Sequence, residues 1–283
     1  VGSEMCIRDG SQTILLYALF AGIVAILVTV AIEKFGGIIG GVLGTIPSTI
    51  IPAAAGVYSI DGTESLRDSM SMVPIGMLMN GIFLSVWIYF PHYIKQEKLK
   101  LISTTIFALA VWLALAIFSL KVVELSPIQD LGNFIIGLIG FILLVLFSVL
   151  LNLNSIAAPK GENKVPLLIL GCRGIAAALA IGFCLILAKQ GLPLVAGLVS
   201  AFPAIFLTSM VALWLSQGSK VPQGAAAPMM LGGASVSVYA LVSMYTIPEY
   251  GIVLGSIVTW FSSVILWTIP AFLVLRKYKL TID

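Results

Sequence analysis

Two prolines, Pro47 and Pro203, stand 156 positions apart (203 − 47), and each is flanked by hydroxyl side chains inside an otherwise apolar stretch. Thr45, Ser48 and Thr49 surround the first; Ser200, Thr208 and Ser209 surround the second. A proline within a helix removes one backbone donor and frees a carbonyl. In a bilayer such freed groups must find protein, hydroxyl or water partners. Carbonyls released beside hydroxyls can coordinate a small solute or a cation. The alternative is plainer: each Ser or Thr bonds back to the carbonyl one turn earlier, and Gly40, Gly41 and Gly44 form a close-packing face. A single hydroxyl is expected to follow the plainer course. The two breaks, matched in place, are expected to border a solute path.

Arg173 is the formal charge well inside an apolar span, about 8 residues or roughly 12 Å from its start. A charge at such depth is costly unless it is paired, hydrated or able to reach the interface. Two roles stay open: an internal one, solute-facing or structural, and snorkelling to the cytoplasmic side. Asn80 is neutral but costly to strand in hydrocarbon, so a bond to a neighbouring helix is expected. Asp130 and Asn133 look like capping or interfacial residues. His92, Glu124 and Glu249 fall at boundaries, where proton carriage is not expected.

No HExxH, no phosphate-cradling glycine loop, no nucleophile with a base at workable spacing and no midmembrane acid pair is present. The chain therefore reads as a non-enzyme without cofactor or metal. Cys6, Cys172 and Cys184 lack ligand or redox spacing. No basic tract suits nucleic acid. The expected partners are the lipid bilayer, an unidentified small solute or ion and, in an accessory role, other membrane proteins.

The elements that position these residues follow from composition. Of 283 residues, 60% are hydrophobic and 10% charged, with mean hydropathy +1.13. A soluble domain carries about 25% charged residues. The class is an all-α polytopic membrane protein. A span needs about 20 apolar residues, and nine are expected: 11–32, 38–58, 69–90, 101–120, 131–151, 165–188, 192–215, 223–245 and 251–275. Short connectors hold the charges and turn formers, among them Asp61-Gly62-Thr63-Glu64, Gln217-Gly218-Ser219-Lys220 and Pro248. Val1 to Gly10 resembles translated sequencing-adapter sequence and is expected to be a non-native leader, so it is set aside.

Laying Pro47 on Pro203 also lays Gly41 on Gly197, Gly62 on Gly218 and Thr63 on Ser219; a two-residue adjustment lays Pro74 on Pro228. A duplication is expected, with a first four-span repeat over 11–123, a linker with the fifth span over 124–160, and a second four-span repeat with a tail over 161–283. Four spans return the chain to its starting side. The single linking span therefore inserts the second copy upside down, giving two inverted repeats about an axis in the membrane plane, with sites near the midplane.

Positive charge sets the orientation. Lys34, Lys95, Lys98, Lys100, Lys160, Lys164, Lys220, Arg276, Lys277 and Lys279 fall on one side; Arg67, Lys121, Lys189 and the leader's Arg8 fall on the other. Ten against four puts the C-terminus in the cytoplasm and the N-terminus outside.

The run Ala196-Gly197-Leu198-Val199-Ser200-Ala201-Phe202-Pro203, the polar turn Ser216-Gln217-Gly218 and the Pro- and Ser-containing span after it resemble the small four-span GlpM-like membrane proteins. Residues 165–275 carry the better match. The first half, through Gly40-Gly41 and Thr45-Ile46-Pro47-Ser48-Thr49, looks like a divergent second copy. The linking span is a departure from that family. The resemblance implies a bacterial inner-membrane protein linked with envelope polysaccharide production, and implies no defined chemistry. Two functions are carried forward: a transporter or channel for a small solute or ion, and a noncatalytic scaffold or accessory protein of envelope biogenesis.

Overall fold

The computed structural model describes residues 2–35, 46–153 and 167–280. Among these residues the elements are helices, with no strand. Helix α1 covers Gly2–Phe35 and takes in most of the leader. Helix α2 runs Ile50–Tyr89 and ends in a 3-10 turn at Phe90–Tyr93. Then come α3 (Glu97–Val123), a short α4 (Ser126–Gln129) and α5 (Asn133–Leu153). The second half holds α6 (Leu167–Lys189), α7 (Pro193–Ser200), α8 (Ala204–Gln217) and α9 (Lys220–Gly233). It closes with α10 (Ser235–Ser263), a π-helical turn at Val264–Thr268, and α11 (Ile269–Leu280).

Among the described residues, seven helical stretches are long and apolar enough to cross a membrane. Two of the seven, Ile50–Tyr93 with 44 residues and Lys220–Lys277 with 58, are far longer than one crossing requires. A straight helix of 44 residues would reach about 66 Å against a hydrocarbon core of about 30 Å. Each contains a glycine whose backbone no helix permits: Gly62 (φ 79°, ψ −160°) and Gly251 (φ 77°, ψ 173°). These lie in or beside the connectors expected at 61–64 and Pro248. At Gly251 the chain doubles back, since Thr246 and Thr259 share a hydroxyl hydrogen bond. A Cβ built on Gly255 would lie 2.5 Å from the Thr246 carbonyl oxygen. Gly218 repeats the Gly62 conformation, with φ 81° and ψ 173°.

Helices α1 and α6 cross antiparallel on small residues. Cβ atoms built on glycine would put Gly22 3.2 Å from the Ala178 Cβ, Gly174 2.6 Å from the Ile26 Cδ1, and Gly182 3.4 Å from the Ala18 Cβ. Under a shift of 156, Ala18 maps to Gly174, Gly22 to Ala178 and Ile26 to Gly182. The Ala18–Gly182 pair thus becomes the Ile26–Gly174 pair, and Gly22–Ala178 maps onto itself. Burial repeats as well: Ala18, Ala21 and Ala25 face inward on α1, as Gly174, Ala177 and Ile181 do on α6. On α3, Thr104, Ala108, Trp112 and Ala116 form a buried stripe. At a shift of 155 its counterparts are buried Thr259, Ser263 and Ala271 and half-buried Trp267.

The second part of α2 is the central element, touching α5, α7, α9 and α10 through closely set residues. A Cβ on Gly76 would lie 2.5 Å from the Ala201 Cβ, one on Gly197 2.0 Å from the Ser69 carbonyl oxygen, and one on Gly140 2.9 Å from the Ile75 nitrogen. Outward, large apolar side chains are exposed, among them Leu179, Leu143 and Leu266. Such an apolar exterior around a close-packed interior suits lipid surroundings.

Candidate functional site

The break around Pro203 is the better defined of the two. Helix α7 ends at Ser200, α8 starts at Ala204, and Ala201-Phe202-Pro203 connects them through turn bonds such as Ala201 N to Leu198 O (3.1 Å) and Phe202 N to Val199 O (3.0 Å). An unbroken helix would have the Ala201 carbonyl accept from the residue 205 N–H. Instead it accepts from the Asn80 side-chain amide at 2.8 Å. The Asn80 carbonyl oxygen in turn accepts from the Trp112 indole N–H at 2.9 Å. The Phe202 ring stands edge-on to Trp112, with centroids 5.3 Å apart. Asn80, 2% exposed, therefore fulfils the expectation of a bond to a neighbouring helix, and its acceptor is the carbonyl at the break itself.

Arg173 lies inside, 6% exposed. Its Nε donates to Thr208 Oγ1 at 3.2 Å and its Nη2 to Ser209 Oγ at 2.8 Å. The Thr208 hydroxyl is also within bonding reach of the carbonyls of Ala204 (2.8 Å) and Ile205 (3.1 Å). It can donate locally while its lone pairs face the guanidinium. Three of the residues singled out in the sequence thus converge on the first turns of α8. Ser200 does not join them; its hydroxyl donates to the Gly197 carbonyl at 2.7 Å, the plainer course expected of it. In the first half, Tyr17 occupies the position 156 before Arg173 and shares a 3.0 Å hydrogen bond with Ser59 on α2. Both halves therefore tie their first helix to the helix after the break, one with a neutral group and one with a cation.

Thr45 lies outside the described residues, as do Gly40, Gly41 and Gly44. Pro47 is buried, Ser48 and Thr49 are half-buried, and α2 begins at Ile50, just past the proline. The Ser48 N–H bonds the Ile46 carbonyl at 2.9 Å, and Thr49 caps α2 without a side-chain bond. Among the described residues, no hydrogen bond joins Ser48 or Thr49 to the Arg173 group.

No family model matches the chain, and neither a curated protein nor a solved structure matches it.

Elsewhere, a cleft of about 420 Å³ opens between Arg67, Leu131–Ile135 and Met244–Tyr245. The Arg67 guanidinium lies 5.9 Å from the Tyr245 ring centroid, and Asn133 at the start of α5 donates to Asp68 at 2.7 Å. Among the described residues no three His, Cys, Asp or Glu side chains gather as a metal site would require. Trp112 was not singled out from the sequence. The signal was there, since Trp112 and Trp267 stand 155 apart; the Trp267 indole donates to the Leu231 carbonyl at 2.8 Å, close to the α9–α10 junction.

Proposed function

We propose that this membrane-embedded chain is an inverted-repeat transporter or channel for a small solute or ion, with a midplane site bordered by the two proline breaks. The observation that carries this function is the α1–α6 crossing. A contact whose residue pairs interchange under the repeat shift is what two antiparallel copies make about a two-fold axis in the membrane plane. Nine crossings follow if the long stretches turn at Gly62 and Gly251, with α5 linking two groups of four. The lysine and arginine distribution supports a cytoplasmic C-terminus, and the GlpM-like motifs support a bacterial inner membrane. Arg173, Thr208 and Ser209 would present polar groups from one half. Thr45, Ser48 and Thr49 would present them from the other. Nothing in this arrangement calls for catalysis or a cofactor.

A noncatalytic scaffold of envelope polysaccharide production is favoured by a different observation, the tightness of the contact between halves at Gly76–Ala201 and Gly197–Ser69. Accessibility to water separates the two. With Cys6, Cys172 and Cys184 replaced by Ala, cysteines at Thr49 and Ile205 are exposed to a small water-soluble thiol reagent, and one at Leu143 serves as the lipid-facing control. Transport predicts that both react well above the control. If both stay as inert as Leu143→Cys under every condition, the scaffold is the function to keep.

A further inference from the structure

We infer that the cleft beside Arg67 and Tyr245 seats the headgroup of a zwitterionic phospholipid, its phosphate on the Arg67 guanidinium and its primary amine toward an acidic rim. This site lies apart from the proline breaks and needs only that the chain be embedded in a membrane. Arg67 lines the cleft, and among the described residues it forms no ion pair. Its Nε reaches the Met244 carbonyl at 3.5 Å and its guanidinium lies against the Tyr245 ring, while no hydrogen bond from its two terminal nitrogens occurs among the described residues. That leaves a planar pair of donors, the shape a phosphate accepts. Position points to a lipid. Arg67 lies just past the turn at Gly62, Asn133 just past that at Gly132 and Tyr245 just before that at Gly251, so the cleft sits at the end of the bundle. There the apolar spans give way to water, and pockets between helices at that level take lipid headgroups. Leu131, Phe134 and Ile135 leave an exposed apolar wall for an acyl chain, with the Phe134 ring 5.8 Å from that of Tyr245. The volume of about 420 Å³ suits a small ligand. Charge selects the headgroup. Asp68 accepts from the lining residue Asn133, Glu64 stands one turn before Asp68 on α2, and Asp130 directly precedes Leu131. Three carboxylates around one guanidinium disfavour a lipid of net negative charge, whereas a phosphate and an amine on one headgroup meet both signs.

The full chain, purified in a nonionic detergent, is titrated with phosphatidylethanolamine, phosphatidylglycerol and water-soluble glycerophosphoethanolamine, and bound ligand is counted by native mass spectrometry. Phosphatidylethanolamine is expected to fill one site about tenfold more tightly than phosphatidylglycerol, the worth of one charge-assisted contact to the amine. The soluble headgroup, lacking acyl chains, should bind more weakly than the lipid it comes from. Arg67→Gln should weaken phosphatidylethanolamine binding by roughly tenfold to hundredfold, with Arg67→Lys restoring part of it. Asp68→Asn should shrink the preference over phosphatidylglycerol. Hydrogen exchange on the unmodified chain locates the lipid without any variant: phosphatidylethanolamine should slow exchange around residues 131–135 and leave 204–209 unchanged. No retained lipid, unchanged affinity in Arg67→Gln, or protection confined to other segments would overturn the site. Equal or tighter binding of phosphatidylglycerol would overturn the zwitterion, and a soluble headgroup that binds as tightly as the lipid would overturn the lipid as its source.

Discussion

Asn80 joins a carbonyl on one side to an indole on the other, and that double duty sets the cost of losing it. Asn80→Leu leaves Ala201 O and Trp112 Nε1, both on buried residues, without these partners. At about 1–3 kcal/mol per orphaned buried group, a loss of about 2–6 kcal/mol is expected, read as a lower melting temperature of the purified protein. Trp112→Phe removes the indole donor and part of a buried ring, leaving the Asn80 side-chain oxygen unpartnered while its amide keeps the bond to Ala201, so about 1–3 kcal/mol is expected. The double variant should fall short of the sum, because both changes remove the same bond. Residue chemistry was partly legible beforehand. That Asn80 must bond a neighbour follows from its amide in an apolar span; that the neighbour lies 121 positions away does not, because sequence carries no register between distant helices. Arg173 is similar: its charge was plain, and only burial against α8 separates an internal side chain from a snorkelling one.

At the scale of elements, apolar run length and charged connectors located most helices, and Pro203 located the α7–α8 break. The junction at Ala234 between α9 and α10 was not expected, since neither proline nor charge marks it. Glycines differ in what they do here, and substitution separates the kinds. A methyl at Gly197 would sit 2.0 Å from the Ser69 carbonyl oxygen, a backbone atom that cannot swing aside. Gly197→Ala must push α7 from α2 and strain the 2.9 Å bond from Ser69 Oγ to the Pro193 carbonyl. About 3 kcal/mol of destabilisation is expected from such overpacking. At Gly218, φ is +81° but nothing lies within 4 Å of an added Cβ. With ψ at 173° this is a conformation essentially confined to glycine, so Gly218→Ala should cost only the backbone strain, about 1–3 kcal/mol. Melting temperatures of the two variants rank the effects, and a lower value for Gly218→Ala than for Gly197→Ala would contradict the close approach.

For the whole molecule, the proposed orientation rests on the lysine and arginine distribution. A thiol placed at Arg67 should be modified by an impermeant reagent from outside the cell, and one at Lys98 should not. Reversed labelling would overturn the orientation, and labelling of both from one side would overturn an odd number of crossings between them. The proposed duplication rests on glycines and prolines, residues that control backbone shape, which two copies would share even where side chains had drifted. The crossing of α1 on α6 was not legible, since small residues are common throughout the chain. That crossing has a consequence of its own. Gly22–Ala178 maps onto itself, but the outer contacts of the crossing do not: α1 carries Ala18 where α6 carries Gly174, and a Cβ built on Gly174 would lie 2.6 Å from Ile26 Cδ1. The inner face of α1 therefore fits α6 better than it would fit an upside-down copy of itself, and because α1 and α6 belong to one chain, that preferred partner is never diluted.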